Sequence, residues 1–154
     1  MSRLSYRVTE RDAPVADKEQ ACTMFFVNSF GEVLLILRDN KPGIPYPNTW
    51  DFPGGHAEGG ESPSECISRE MNEELPGLDL GNFRLYEIVE FPQQINYVFW
   101  TRIDVSEGWL NGILCEGQRA AWVSRAQLRN TTVAFGFGTI AERFFDNLEQ
   151  GMFG

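Results

Sequence analysis

One helix in this chain can be delimited from the sequence alone, and it constrains the fold more than any other segment. Ser62 is a suitable N-cap, Pro63 fits the first helical position, and Glu65 completes a capping box with Ser62. Pro76 ends the helix, because proline has no amide hydrogen and restricts the residue before it. The apolar side of a helix must pack against other elements, so the segments on either side of this helix in the sequence indicate the fold.

The flanking segments are typical of strands that surround this helix. The apolar stripe of the helix recurs every four residues, at Ile67, Met71 and Leu75. Strands are predicted at residues 21–29, 32–39, 50–55, 83–91, 95–104 and 119–124, with a proline-rich loop at 40–49 and a loop around 108–112. Residues 1–18 are interpreted as an arm or a first strand, and further helices are predicted at 125–129 and 140–150. This order, without regular strand–helix–strand alternation, predicts an α+β fold with a mixed β-sheet between α-helices.

Composition narrows the classes of function. The chain has 154 residues, which suits one domain, and 42% of them are hydrophobic, enough for a core. With 22 acidic and 13 basic residues its formal net charge is -9, which argues against nucleic-acid binding and against attachment to an anionic membrane. No apolar run is long enough to span a membrane, and the polar N-terminus does not resemble a signal peptide. We therefore expect a cytoplasmic protein.

The cysteines point to the same compartment. Cys22, Cys66 and Cys115 are odd in number and widely spaced, so no disulfide framework is predicted and a reducing environment suits the chain. Cys66 lies on the predicted helix and is interpreted as a small buried apolar residue, because nothing in the sequence pairs it with a catalytic base.

Three carboxylates crowd one face of the predicted helix. Glu70, Glu73 and Glu74 stand at positions i, i+3 and i+4, where like charges repel, and the last two lie in the final turn, where the helix dipole disfavours negative charge. A hard divalent cation such as Mg²⁺ takes oxygen ligands and would turn this repulsion into attraction. A solvated acidic surface is the alternative, and the triplet alone favours neither interpretation.

Residues upstream extend the triplet into a longer pattern. Gly55 is followed by five residues and Glu61, then by seven residues and Arg69-Glu70. The segment GHAEGGESPSECISREMNEELPGL, residues 55–78, closely resembles the Nudix box, GX5EX7REUXEEXGU, where U is a bulky apolar residue. Every position from Gly55 through Glu74 matches. The segments LLILRD, WDFPGG and EGQRAAWVSRAQL also look like this family, so the resemblance in layout covers roughly residues 20 to 130.

Pro76 is the one departure from the family pattern. The family places a single residue between the last glutamate and a glycine, whereas this chain has Leu75-Pro76 before Gly77. Pro76 resembles a one-residue insertion. Because it follows the last carboxylate, we expect it to shift the loop after the helix and to leave the acidic face in place.

The resemblance implies a single Nudix domain over residues 1–154 and a metal-dependent hydrolase of a nucleoside diphosphate linked to another group. Carried over by position, the ligands of Mg²⁺ or Mn²⁺ would be Glu70, Glu73 and Glu74, with the Gly55 carbonyl oxygen as an additional ligand. Arg69 would orient the carboxylates through charge-assisted hydrogen bonds, and Glu61 would be a structural partner outside the ligand set. A homodimer is compatible with the family, although no segment demonstrates one.

Four further residues are candidates for the site, each with a plainer interpretation beside the functional one. Glu116 is a candidate general base or extra metal ligand, or simply a glutamate at a turn. Arg38 would clamp a phosphate or pair with Asp39 or another acid. His56 would approach the substrate or lie exposed. Trp50 would stack a nucleobase, with Tyr46, Phe52 and Trp100 as other aromatic candidates, or belong to the core.

The predicted reaction is hydrolysis of a pyrophosphate bond that releases a nucleoside monophosphate from a small nucleotide. A nucleoside triphosphate is favoured; ADP-ribose or a nucleotide sugar is the alternative, and Pro92 lies near where ADP-ribose-cleaving members carry proline. A catalytically inactive nucleotide-binding module is a weaker alternative, because the box keeps all its carboxylates. An enzyme similar to isopentenyl-diphosphate isomerase is disfavoured because the chain has one histidine.

Overall fold

The computed structural model describes residues 4–6 (backbone only) and residues 18–151. The strands are β1 (Leu4–Tyr6), β2 (Glu19–Val27), β3 (Val33–Leu37), β4 (Trp50–Asp51), β5 (Gly54–His56), β6 (Arg84–Glu90), β7 (Gln94–Arg102) and β8 (Arg119–Val123). The helices are α1 (Pro63–Glu74), α2 (Glu107–Ile113), α3 (Arg125–Arg129) and α4 (Phe137–Glu149), with a 3₁₀ turn at Ala134–Gly136. No helix within these residues is long and apolar enough to cross a membrane.

A mixed sheet forms the centre of the molecule. Its strand order is β1-β6-β7-β2-β3-β4, while β5 pairs with β2 and β8 pairs with β3. The β2–β7 ladder is parallel and runs from the pair Glu19–Gln94 to the pair Val27–Arg102. The other strand pairs are antiparallel. The predicted mixed sheet is therefore confirmed.

Helices cover both faces of this sheet. Alternate side chains of β2 point to opposite sides, so that Met24 and Phe26 join the core beneath α1, whereas Phe25 and Val27 join the core beneath α4. The large strand side chains of both cores are almost completely buried. Two apolar cores separated by one sheet confirm the predicted α+β fold, a sheet between helices, and hold α1 firmly in place.

Helix α1 has the predicted start and end. Ser62 accepts a hydrogen bond from the Glu65 amide while the Glu65 side chain accepts one from the Ser62 amide, so the capping box is complete. The helix ends at Glu74 and is capped by Leu75, whose amide donates to the Met71 carbonyl. Gly77 then turns the chain away with a φ of +91°. The acidic face therefore lies on intact helix, upstream of Pro76.

Three predictions about the elements need correction. The predicted loop around 108–112 is helix α2, because Ser106 caps it and buried Leu110 anchors it despite two glycines. The predicted strand at 50–55 is two strands, β4 and β5, which pair with different neighbours on either side of Pro53. Helix α4 begins three residues earlier than predicted, at Phe137. Of the predicted N-terminal arm, residues 4–6 form β1, while 1–3 and 7–17 lie outside the described residues.

Candidate active site

Arg69 connects the loop before α1 to the acidic face of the helix. Its Nε and Nη2 atoms donate to the Glu61 carboxylate at 2.5 and 3.1 Å, and Nη2 also donates to the His56 carbonyl oxygen at 2.9 Å. Its Nη1 atom donates to Glu70 at 3.1 Å and to Glu73 at 3.2 Å. The bond from Arg69 lowers the pKa of Glu61, which therefore stays ionised. One guanidinium thus fixes the loop and two carboxylates of the helix.

Glu70 and Glu74 form a pair of carboxyl groups in contact. Glu74 is buried, with 6% of its surface exposed. Burial, together with the nearby charges of Glu116 and Glu70, raises the pKa of Glu74 to about 9, against the opposing effect of a hydrogen bond from the Gly54 amide. Burial also raises the pKa of Glu70, although Arg69 opposes this shift. Both shifts favour a proton on this carboxyl pair over a second negative charge.

Glu73 lies apart from this pair. Its side chain is 48% exposed and bonds to Arg69. Within residues 4–6 and 18–151, no three side chains of His, Cys, Asp or Glu converge on one point as metal ligands. Arg69 relieves the repulsion at Glu70 and Glu73, and the raised pKa values of Glu70 and Glu74 favour protonation of that pair.

The donor set nevertheless fits a hard divalent cation. Two carboxyl groups in contact, with Glu116 close enough to raise the pKa of one of them, present only oxygen atoms, which Mg²⁺ and Mn²⁺ prefer. The backbone of Gly55 passes directly against this cluster, because a Cβ added there would lie 2.2 Å from the Glu70 carboxyl carbon. A cation bound between these carboxyl groups would remove their repulsion, so Mg²⁺ or Mn²⁺ suits these residues.

The loop that carries Glu116 is anchored to the end of α1. The Cys115 amide donates to the Glu74 carbonyl oxygen at 2.9 Å. Gly117 has a φ of +88°, and a Cβ there would lie 2.6 Å from the Ile36 side chain, so only glycine fits. Glu116 itself is exposed and lines the same cavity as Glu74.

Two cavities meet beside the carboxylates. The smaller, of about 230 Å³, is lined by Glu74, Glu116, Lys41 and other polar residues. The larger, of about 930 Å³, has more apolar walls, including Phe91, Phe135 and Phe137. The residues that line both cavities are Arg38, Asp51, Phe52 and Gly54. The molecule therefore offers a small acidic compartment that opens into a larger apolar one.

Arg38 lines both cavities and pairs with a half-buried acid. Its Nη1 atom lies 3.2 Å from Asp51 and its Nε atom donates to the Pro45 carbonyl oxygen at 3.0 Å. Its partner is thus Asp51 rather than Asp39. Burial raises the pKa of Asp51 to about 6, although Arg38 and the Phe52 amide oppose the shift. Arg38 keeps a position from which its guanidinium can reach a ligand in either cavity.

The other predicted residues fall in different places. His56 lines the larger cavity and is exposed, with Nδ1 at 3.3 Å from Glu19. Trp50 does not belong to the described lining of either cavity; it packs against the core beneath α4, with the Arg119 guanidinium 4.8 Å from its ring centre. The structure therefore favours the core interpretation of Trp50 over the stacking one.

Tyr46 and Phe135 form an aromatic rim on the larger cavity. Their ring centres lie 4.6 Å apart and both rings are exposed. Both residues have positive φ angles, 51° and 61°, which are uncommon for aromatic residues and cost conformational energy. Tyr46 was among the aromatic candidates, whereas Phe135 and Asp51 were not predicted. The two glycines within the segment AFGFG, Gly136 and Gly138, were the available signal for the unusual turn at Phe135.

Comparison with known proteins agrees with this geometry. The family model described as NUDIX domain matches residues 17–144. An 8-oxo-dGTP diphosphatase of Haemophilus influenzae is 31% identical over 101 residues, which cover 66% of this chain and 72% of that protein.

Solved structures share the fold. The MutT protein of Methanosarcina mazei superimposes with a TM-score of 0.66 at 23% identity, over 88% of this chain and 99% of that one. The NUDIX domain of Shewanella oneidensis NrtR, in complex with ADP ribose, gives a TM-score of 0.69 at 14% identity, over 92% of this chain and 94% of that one. At these identities the likeness establishes the fold alone. Together, the matching family model and the curated relative show that this chain belongs to the Nudix family and is a hydrolase of acid anhydrides of phosphorus.

Proposed function

We propose that this chain hydrolyses a pyrophosphate bond of a nucleoside triphosphate and releases a nucleoside monophosphate. The observation that carries this proposal is that Glu74 and Glu116 line a polar cavity that shares part of its wall with a larger, more apolar one, while Glu70 contacts Glu74. Such a site would receive a polyphosphate beside the carboxylates and a nucleoside beyond them. The similarity to an 8-oxo-dGTP diphosphatase supports the same substrate class.

The carboxylates would hold Mg²⁺ or Mn²⁺ as the cofactor. Glu70 and Glu74 are the ligands that the geometry favours, and Glu73 would join them if its side chain left Arg69. The bound cation would supply charge neutralisation for the diphosphate and a lowered pKa for attacking water. Arg69 would keep Glu70 in position, and exposed Glu116 would accept the proton that the attacking water loses.

Cationic side chains of the smaller cavity would bind the phosphates. Arg38 and Lys41 both line it, together with Glu74 and Glu116. Their presence matters because the formal net charge of -9 would otherwise repel an anionic substrate. Arg38 could bind phosphate only by exchanging part of its contact with Asp51.

The nucleoside would occupy the larger cavity. Thr23 and Asn96 line it; the Thr23 hydroxyl donates to Asn96 Oδ1 at 2.9 Å, and Asn96 Nδ2, which donates one hydrogen to Gln94 Oε1 at 3.4 Å, would offer its second hydrogen to the edge of a base. The rim pair Tyr46 and Phe135 offers an aromatic surface for stacking. His56 lies at the same cavity and would contact the sugar or the base.

ADP-ribose or a nucleotide sugar is the second candidate substrate. The larger cavity, of about 930 Å³, would admit a group beyond one nucleoside, and Pro92 is part of its lining. The structural likeness to a NUDIX domain that binds ADP ribose is compatible with this substrate but rests on fold alone. An inactive nucleotide-binding module is the remaining alternative.

A nucleotide panel assayed with Mg²⁺ and with Mn²⁺, with both products identified, tests the proposal. We expect a nucleoside monophosphate and pyrophosphate from a nucleoside triphosphate, and a fall in kcat of about 100-fold or more in Glu74→Gln protein. Glu65→Gln is the matched control on the same helix, because glutamine also completes a capping box. Unchanged turnover in Glu74→Gln would refute the metal-site assignment, and faster cleavage of ADP-ribose would select the second substrate. Sedimentation of the same preparations tests the proposed homodimer.

A further inference from the structure

Two buried cysteines meet between the central sheet and helix α1. Cys22 lies on β2 and Cys66 on α1; each is 1% exposed and both are free thiols. Their Sγ atoms lie 2.7 Å apart, although 44 positions separate the residues along the chain. This distance is well inside the roughly 4 Å at which buried side chains normally touch, and it approaches the roughly 2.05 Å of a disulfide bond.

We propose that Cys22 and Cys66 are an oxidation site at which a peroxide cross-links strand β2 to helix α1. Hydrogen peroxide converts one thiol to a sulfenic acid and releases one water molecule. The second thiol then attacks the sulfenic sulfur, the S–S bond forms, and a second water molecule leaves. The two thiols lose two electrons, which break the O–O bond, and their two hydrogens leave in the water.

The surroundings of the pair keep both sulfur atoms in place. Cys22 stands opposite Gly55 in the β2–β5 ladder, and a Cβ added at Gly54 would lie 2.1 Å from the Cys22 carbonyl oxygen, so β5 packs tightly on this strand. Cys66 lies one helical turn before Glu70 on a helix held by the apolar core. The cross-link therefore requires only a small approach of the sulfur atoms and leaves the acidic face where it is.

The environment also determines how readily the pair reacts. The hydrogen bond to Cys66 and burial raise the pKa of the Cys22 thiol well above its ordinary value. A thiol with a raised pKa forms little thiolate and is a poor nucleophile. The pair is thus unsuited to nucleophilic catalysis, and its oxidation is expected to be slower than that of exposed Cys115.

The cross-link is expected to stabilise the fold. It would close a loop between residues 22 and 66 and so restrict the unfolded chain, without displacing the packed core. For a chain of this size we expect a rise in the thermal unfolding midpoint of about 5 to 15 °C.

The test uses the full chain carrying Cys115→Ser, which retains only the two buried cysteines. The folded protein is treated with hydrogen peroxide, and free thiols are then counted after denaturation. We expect both thiols to disappear, a peptide map without reductant to show Cys22 joined to Cys66, and the melting midpoint to rise. Dithiothreitol should reverse all three changes. Cys66→Ala and Cys22→Ala, each in the same background, are the controls that cannot form the cross-link.

Two results would overturn the proposal. Persistence of both thiols, or oxidation of a single sulfur without a joined peptide, would show that the pair does not cross-link in the folded protein. A cross-link that lowers the melting midpoint or leaves it unchanged would refute the stabilising role. Both readouts come from the protein itself, so they do not depend on which nucleotide the chain hydrolyses.

Discussion

Arg69 shows how one guanidinium can hold an acidic surface together before any cation binds. Its side chain is 22% exposed and contacts Glu61, Glu70 and Glu73 as well as the His56 carbonyl oxygen. A lysine carries the same charge, but its single ammonium group cannot donate hydrogen bonds to all of these separate acceptors at once. The position of the carboxylates therefore depends on the shape of the arginine as well as on its charge.

Replacement of Arg69 by lysine tests this dependence. We expect Arg69→Lys to lower kcat/KM by about 10- to 100-fold, because lysine cannot keep all the hydrogen bonds that Arg69 makes to three carboxylates and a carbonyl oxygen. Arg129→Lys is the control, since Arg129 is an exposed arginine on α3 that bonds to Glu142. Steady-state kinetics on the best nucleotide of the panel provide the measurement. If the two variants have equal activity, Arg69 does not position the carboxylates.

The raised pKa of Asp51 predicts that its contribution to the stability of the fold decreases as the pH rises. Its folded-state pKa of about 6 lies above the ordinary value of 3.8, so the folded protein binds its proton more tightly than the unfolded chain does. This contribution to stability is complete below about pH 4 and is lost as the pH rises through 6. Relative to wild type, Asp51→Asn should therefore gain about 2 to 3 kcal/mol in free energy of unfolding between pH 4 and pH 7.

Urea unfolding of both proteins at each pH measures this difference. The comparison isolates Asp51, because the other carboxyl groups titrate in both proteins. A relative stability that stays constant between pH 4 and pH 7, or that changes in the opposite direction, would show that Asp51 is not protonated in the folded protein near pH 5.

At the scale of the elements, the site depends on a loop as much as on helix α1. The loop of Glu116 is tied to the last turn of α1 by the Cys115 amide and is turned by Gly117 at a φ of +88°. The helix supplies a fixed face, and this loop, which precedes β8, brings a further carboxylate close to Glu74. A change in the turn should therefore affect both stability and catalysis.

Gly117→Ala is the test of this turn. The added Cβ would lie 2.6 Å from the Ile36 side chain and 2.9 Å from the Leu37 carbonyl oxygen, in a backbone conformation that alanine avoids. We expect a loss of about 1 to 3 kcal/mol in free energy of unfolding and a lower kcat. Gly108→Ala is the matched control, because Gly108 lies in α2 with no neighbour within 4 Å of its added Cβ; it should be neutral or slightly stabilising. Equal effects of the two substitutions would contradict the prediction.

The elements also show which parts of the structure the sequence could predict. Both ends of α1 were predictable, because the capping box and Pro76 act within a few residues of the helix. Helix α2 was not, because its two glycines suggested a loop and the burial of Leu110 depends on distant residues. The ionic contacts of the site could not be predicted from the sequence either. Arg38 pairs with Asp51 because the β3–β4 pairing brings them together, not because they are close in sequence. Features that depend on neighbouring residues could thus be predicted from the sequence. Contacts between residues that only the sheet brings together could not.

At the scale of the whole molecule, the two cavities would bind different parts of the proposed substrate, the phosphates in the smaller cavity and the nucleoside in the larger one. The smaller cavity holds the carboxylates and cations, the larger one holds the apolar walls, and Arg38 and Asp51 stand at their junction. Binding and chemistry should therefore respond separately to substitutions at the two ends.

Substitutions at the aromatic rim test this separation. Tyr46→Ala and Phe135→Ala should each raise KM by about two- to tenfold and change kcat little, because they remove a stacking surface distant from the carboxylates. Phe30→Ala is the control, since Phe30 is 85% exposed at the turn between β2 and β3. Initial-rate kinetics with a nucleoside triphosphate and with inorganic triphosphate give the measurement. A fall in kcat without a change in KM would show that the nucleobase does not bind at the aromatic rim.

The parallel ladder between β2 and β7 has a consequence for how the molecule is assembled. It joins Glu19 to Gln94 and Val27 to Arg102, so each pair closes a loop of about 75 residues that contains α1. Contacts so distant in sequence form slowly, because the entropy of loop closure is lost before the ladder stabilises the chain. During synthesis β2 cannot pair with β7 until residue 102 has emerged from the ribosome. The acidic helix, although early in the sequence, is therefore expected to reach its final position late in folding.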